Sequence, residues 1–93
     1  MADIQGVYSA SGLINTGPGV LTAVIISTTS ATGVTATLYN NTAGSGTKVL
    51  EVMITNQAPL VVFFSDRFAP RFTTGLYIAL AAGMTATVWA IGY

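Results

Sequence analysis

The sequence predicts an all-β protein, a single small antiparallel β-sandwich or jelly-roll-like barrel of about 7–8 short strands that occupies residues 1–93 as one domain. The main observation is a repeat: residues 33–39 (Gly-Val-Thr-Ala-Thr-Leu-Tyr) return as residues 83–89 (Gly-Met-Thr-Ala-Thr-Val-Trp). Each copy alternates apolar and hydroxyl side chains, which is typical of a strand with two different faces. Other short segments rich in β-branched residues lie between glycine-containing turns, and no segment has the period of a long helix.

The composition predicts a protein that associates. Of the 93 residues, 52% are hydrophobic and 6% are charged, whereas ordinary soluble domains carry about 25% charged residues. The excess of apolar surface predicts packing against another protein or against copies of the chain, so we expect a homo-oligomer, a trimer or a dimer. A membrane helix over residues 73–93 is the alternative, since this span is uncharged and long enough. Its three glycines and its two-residue alternation favour strands, and we expect no membrane partner.

The first two strands are separated by a turn. Residues 4–10 form the first strand, and the turn residues 15–19 (Asn-Thr-Gly-Pro-Gly) precede the second. The second strand, residues 20–29, is rich in β-branched side chains and apolar on both faces over most of its length. This pattern predicts a central strand that is covered on both sides or lies in an interface.

The first copy of the repeat is expected to form a hairpin with the strand before it. A short polar connection, residues 30–33, returns the chain into residues 33–39. Within this strand the alternation predicts that Val34, Ala36 and Leu38 face the core, and it predicts the same for the apolar side chains of the second copy.

The second half of the chain predicts one loop and four strands. Residues 40–47 contain two glycines and no large apolar side chain, which indicates an exposed loop. Residues 48–56 alternate, whereas residues 60–64 (Leu-Val-Val-Phe-Phe) are apolar on both faces and form the most aggregation-prone window of the chain. We therefore expect this window to be buried in the native assembly. Residues 75–80 and 84–91 form the last two strands, joined by a tight connection into a second hairpin.

The residue types exclude most enzyme chemistry. Histidine is absent, which removes the usual general base and metal ligand, and cysteine is absent as well. The carboxylates are Asp3, Glu51 and Asp66, and the net charge is zero. No catalytic, metal or cofactor site is predicted, and the lack of a basic cluster argues against a nucleic-acid partner.

Six residues are candidates for contact with a partner: Arg67, Phe68, Arg71, Phe72, Tyr39 and Trp89. Arginine and aromatic side chains are enriched at interfaces, which favours the first four as an anchor patch. The alternative is that the two arginines are gatekeepers that keep the neighbouring apolar window soluble. Tyr39 and Trp89 end the two copies of the repeat, where packing in the core or at its rim is one role and a partner-facing or sugar-stacking surface is the other.

Three segments share their order and spacing with a group of known proteins. They are residues 15–19, residues 38–47 (Leu-Tyr-Asn-Asn-Thr-Ala-Gly-Ser-Gly-Thr) and residues 71–78 (Arg-Phe-Thr-Thr-Gly-Leu-Tyr-Ile). In these segments the chain resembles small virion proteins of tailed bacteriophages. The resemblance implies a β-sandwich subunit of the virion, a decoration or cement protein that binds the major capsid protein on the outside of the capsid shell.

The resemblance also implies where the protein is found. Because the first residues lack the basic region and apolar core of a signal peptide, synthesis in the host cytoplasm is expected before assembly on the capsid surface. Two alternatives stay open. The chain is a tail, baseplate or fibre component, or it is a glycan-binding module that uses Tyr39, Trp89 or Tyr93 with the loop at residues 40–47.

Overall fold

In the computed structural model, residues 2–29, 33–54, 59–65 and 69–93 are described. They form nine strands and no helix. The strands are β1 (Ala2–Tyr8), β2 (Gly12–Thr16), β3 (Gly19–Thr28), β4 (Val34–Tyr39), β5 (Lys48–Ile54), β6 (Leu60–Phe63), β7 (Arg71–Phe72), β8 (Gly75–Ala79) and β9 (Met84–Gly92).

The strands form two antiparallel sheets. Sheet I has the order β1-β9-β3-β6, and β7 pairs with β3 on the same side as β6. Sheet II has the order β2-β8-β4-β5. With the short β7 set aside, the chain crosses between the sheets in the order of a jelly roll, a double-sheet architecture of eight strands. The predicted all-β sandwich is therefore confirmed.

The inner faces of both sheets share one hydrophobic core. Strand β9 points every second side chain inward, and Met84, Ala86 and Val88 are fully buried or nearly so. Sheet II covers them with Leu38 and Ile78, both without accessible surface. Because a sheet buries an apolar face only against another layer, this shared core holds the two sheets together.

The repeat contributes to the core from both sides. The first copy lies in β4 of sheet II and the second in β9 of sheet I, and the apolar side chains of both face inward as predicted. The predicted hairpins are wrong, because β3 pairs with β9 rather than with β4, and β8 pairs with β2 and β4 rather than with β9. In a two-stranded hairpin, the apolar faces of the paired strands lie side by side and need a second layer to cover them. Because the two copies of the repeat lie in opposite sheets, their apolar faces cover each other.

Two strands were not predicted from the sequence. Residues 12–16 form β2 at the edge of sheet II, and the turn begins only at Gly17, which has a φ of 95°. The polar side chains of Asn15 and Thr16 interrupt the apolar alternation that predicts a strand, although an edge strand tolerates them. Strand β7 has two residues and is too short for alternation to reveal it.

A bulge in β3 allows one strand to pair with two short partners. The register shifts between Leu21, which faces the core, and Ala23, which pairs with Trp89 on the outer face. Between them, the Thr22 hydroxyl donates to the Trp89 carbonyl at 2.8 Å, and the Thr22 carbonyl accepts from the Phe64 amide at 3.0 Å. The carbonyl groups of Thr22 and Trp89 at the bulge are thus hydrogen-bonded locally.

Gly19 lies where β3, β7 and β9 meet. A Cβ atom at this position would be 2.5 Å from the Ile91 carbonyl oxygen and 2.5 Å from Cζ of Phe72. The Phe72 ring therefore packs over the bare backbone of Gly19, and any larger residue would displace the ring or the ladder.

We expect Gly19→Ala to lower the free energy of unfolding by about 3 kcal/mol, because both neighbours of the added methyl group are fixed in the core or the backbone. Urea denaturation followed by circular dichroism measures this change. Gly12→Ala is the matched control, since Gly12 is also in a strand and a Cβ there meets nothing within 4 Å. Equal destabilisation by the two substitutions would contradict the proposed close contact.

Candidate functional site

The outer face of sheet I is a continuous surface whose side chains align in rows across the strands. The pairing register defines three rows, each named from β1 across β9 and β3 to the opposite edge. Row 1 is Asp3, Ile91, Val20 and Arg71. Row 2 is Gln5, Trp89, Ala23 and Phe63. Row 3 is Val7, Thr87, Ile25 and Val61.

This face exposes large apolar side chains at both of its edges. Val7 is 69% exposed on β1, while Val61 and Phe63 are 48% and 73% exposed on β6. The centre is also mostly apolar, with Trp89 and Ile25 half-buried. Charged side chains occur only in row 1. An apolar surface of this kind, which the described part of the chain leaves uncovered, is typical of a contact with another protein.

The structure places three of the six candidate interface residues on an outer face. Arg71 is exposed at the edge of row 1, and its Nη1 donates to the hydroxyl oxygen of Tyr93 at 3.1 Å. Trp89 lies in the middle of row 2, so it belongs to the same surface. Tyr39 lies on the outer face of sheet II, beside Tyr77. Arg67 and Phe68 lie outside the described residues.

Phe72 is a core residue. Its side chain is 1% exposed and belongs to the hydrophobic core, so it offers no surface to a partner. The cause is the alternation within β7: when Arg71 points outward, its neighbour must point inward, into the space above Gly19. The anchor patch is therefore divided at this position, and only Arg71 of this pair is accessible.

Three exposed apolar residues of sheet I were not predicted from the sequence: Val7, Val61 and Phe63. Residues 60–64 are all apolar, so their sequence lacks the alternation that marks a strand with one exposed face. Pro59 directly before β6 is the signal that could have revealed it, because proline is confined to edge strands and strand starts. The expected burial of this window in an assembly stays a prediction, and the single chain leaves it open.

The outer face of sheet II is more polar. Thr37, Tyr39 and Glu51 project from its strands, and the exposed loop at residues 40–47 follows β4 as predicted. The Asn40 carboxamide oxygen accepts from the backbone amides of residues 73 and 74 at 2.9 and 3.0 Å, which ties this loop to the turn before β8. Since Tyr39 and Trp89 are on opposite faces of the sandwich, they cannot stack on one sugar together.

The described carboxylates do not form a pair. Asp3 is on the outer face of sheet I and Glu51 on the outer face of sheet II, so the core separates them. A pair of catalytic carboxylates would need to lie about 5 to 10 Å apart across a cleft. Over residues 2–29, 33–54, 59–65 and 69–93, no cluster of three His, Cys, Asp or Glu side chains is placed to hold a metal ion.

Comparisons with protein-family models, with curated proteins and with solved structures give no significant match to this chain. In the described part of the chain, no helix has the length and apolar character needed to cross a membrane.

One ion pair lies on sheet II. Lys48 Nζ is 2.7 Å from Glu51 Oε2, and both side chains are about half exposed. The hydrogen bond from Lys48, followed by its charge, lowers the pKa of the Glu51 carboxyl below its ordinary value of 4.5. The same hydrogen bond and the charge of Glu51 raise the pKa of Lys48 above 10.5. Exposed pairs of this kind contribute little to stability.

We expect this pair to give a small stabilisation at neutral pH that is lost at both extremes. Because the folded pKa of Glu51 is lowered, its contribution is present above the unfolded pKa and disappears as the pH falls through the folded pKa. Because the folded pKa of Lys48 is raised, its contribution is present below the unfolded pKa and disappears as the pH rises through the folded pKa.

Thermal unfolding measures this contribution as a coupling free energy, through a double-mutant cycle of the wild type, Lys48→Gln, Glu51→Gln and the double variant. A coupling free energy that stays unchanged at a pH well below the folded pKa of Glu51 would contradict the expected stabilisation.

Proposed function

We propose that this protein is a structural subunit that works by protein–protein association and has no catalytic role. In its specific form, it decorates the capsid of a tailed bacteriophage as a cement protein. The observation that carries the proposal is the apolar outer face of sheet I, with Val7, Val61 and Phe63 exposed on a chain that is only 6% charged. Such a face is unfavourable in water and becomes favourable when a partner covers it.

The residue chemistry supports association over catalysis. The chain has no histidine or cysteine, and Asp3 and Glu51 lie on opposite sides of the core. General acid–base catalysis needs titratable groups within hydrogen-bond reach of a shared substrate, and these two are not. A subunit that stabilises a shell needs only a stable fold and complementary surfaces.

The virion role is supported by the resemblance of residues 15–19, 38–47 and 71–78 to small virion proteins. The fold is compatible with it, because jelly rolls occur in viral capsid domains as well as in lectins and cupins. Because one architecture serves many functions, the fold supports the virion role by analogy alone. The implied partner is the major capsid protein, and the implied location is the capsid surface after synthesis in the host cytoplasm.

In electron microscopy of the parent virion, we expect density of the size of this 9.6 kDa chain at regular positions on the outer capsid lattice. A cement protein occupies joints between capsid subunits and therefore repeats with the lattice. Density of this sandwich on the tail or baseplate would replace the decoration role with the tail component. Its absence from the virion would overturn both.

We expect Phe63→Ser to weaken rebinding of the purified protein to shells stripped of it by at least tenfold. The apolar face loses an anchor, whether it contacts the shell directly or joins two copies whose combined contacts hold the shell. Co-sedimentation with the shells measures the affinity. Met53→Ser is the matched control, since Met53 is 65% exposed on the outer face of sheet II. Equal losses for the two variants, or no loss for Phe63→Ser, would remove the outer face of sheet I from the binding surface.

A further inference from the structure

Row 1 carries opposite charges at its two ends. Asp3 lies on β1 at one edge and Arg71 on β7 at the other, with the apolar Ile91 and Val20 between them. Three strand spacings separate the two charged residues, which places their backbones about 14 Å apart. The only ion pair among the described residues is that of Lys48 and Glu51, so neither end of the row is neutralised within this part of the chain.

From this arrangement we propose that the partner covering the outer face of sheet I is a second copy of the same chain. The two copies pack face to face about a two-fold axis that runs parallel to the strands, between β9 and β3. This axis places β1 of each copy over the β6/β7 edge of the other, so that Asp3 of each copy meets Arg71 of the other. The inference rests on the proposed role of this face as an association surface.

The charges select this axis over in-plane axes that run perpendicular to the strands. Such an axis along row 1 would place Asp3 opposite Asp3 and Arg71 opposite Arg71. Along row 2, at the centre of the face, it would place Asp3 over Val7 and Arg71 over Val61. Like charges opposed at an interface, and charges buried against apolar side chains, are destabilising, whereas the parallel axis makes two opposite-charge contacts. Arg71 keeps donors for this contact, because its hydrogen bond to Tyr93 uses one of the five that a guanidinium carries.

The apolar rows fit the same axis. In row 2 the axis places Trp89 over Ala23 of the other copy, so a large side chain meets a small one. The same axis places Phe63 over the aliphatic part of Gln5 of the other copy in row 2, and Val61 over Val7 of the other copy in row 3. Each exposed apolar side chain of these rows therefore gains an apolar neighbour, and the largest side chain of row 2 faces the smallest.

The area is that of a small stable interface. Four strands spaced about 4.8 Å apart and about 8 residues long give a flat footprint of roughly 500 Å² per copy. Standard interfaces bury about 800 Å² per partner, so this interface lies at the small end of the range. We therefore expect a weak dimer with a Kd in the micromolar range.

Charge reversal tests the arrangement. We expect Asp3→Arg and Arg71→Asp each to weaken dimerisation at least tenfold, because each opposes like charges at both ends of row 1. The double variant Asp3→Arg/Arg71→Asp restores two opposite-charge contacts and is expected to dimerise like the wild type. Sedimentation velocity from about 1 to about 100 µM at low salt gives the dissociation constants.

Mixing the two single variants provides a second readout. One carries positive charge and the other negative charge at both ends of row 1, so we expect a heterodimer although neither variant dimerises well alone. The single tryptophan of the chain, Trp89, lies near the axis and reports formation of the dimer by a blue shift of its emission. Thermal unfolding checks that the single variants stay folded, since both positions are exposed.

The outcomes separate this inference from the proposed function. Dimers of the wild type, of the double variant and of the mixture, with weak single variants, support the inference. A wild-type dimer that is insensitive to either charge reversal overturns it. A wild type that stays monomeric at about 100 µM but binds shells through Phe63 also overturns it and leaves the proposed function standing.

Discussion

Strand β9 pairs with β1 on one side and β3 on the other, and the rest of the structure depends on the register of these two ladders. Because the side-chain period of a strand is two residues, a slip by one position would exchange its two faces. Met84, Ala86 and Val88 would then leave the core, and Trp89 would enter a space shaped for alanine and valine. Both the sealed interior and the rows of the outer face follow from this register.

The sequence predicted the faces of most strands better than their partners. Alternation identified the core side of β4 and β9, because burial acts on each residue locally. The pairing of strands within each sheet was not predictable in this way, since the partners of β3 are more than thirty residues away along the chain. A short polar connection favours a hairpin in isolation, and the need to cover two apolar faces with each other outweighs that preference.

The candidate site was predictable only in part. The low charge and the apolar excess pointed to association, and Arg71 and Trp89 were among the expected contact residues. The roles of Asp3 and Val7 depend on the register of β1 against β9, which no local pattern encodes. Phe72 was misplaced for a related reason: in a strand of two residues, only the tertiary structure decides which side chain faces inward.

The bulge at Thr22 has a consequence for the solubility of the protein. It divides one edge of sheet I into the four residues of β6 and the two residues of β7, so this edge is not long and straight, whereas the opposite edge is the seven-residue β1. Growth of cross-β fibrils requires a flat edge of about six or seven residues onto which identical strands can add. A chain with so few charges cannot rely on repulsion to stay dispersed. The interruption limits the addition of strands at the β6/β7 edge, while the broad face stays open to a specific partner.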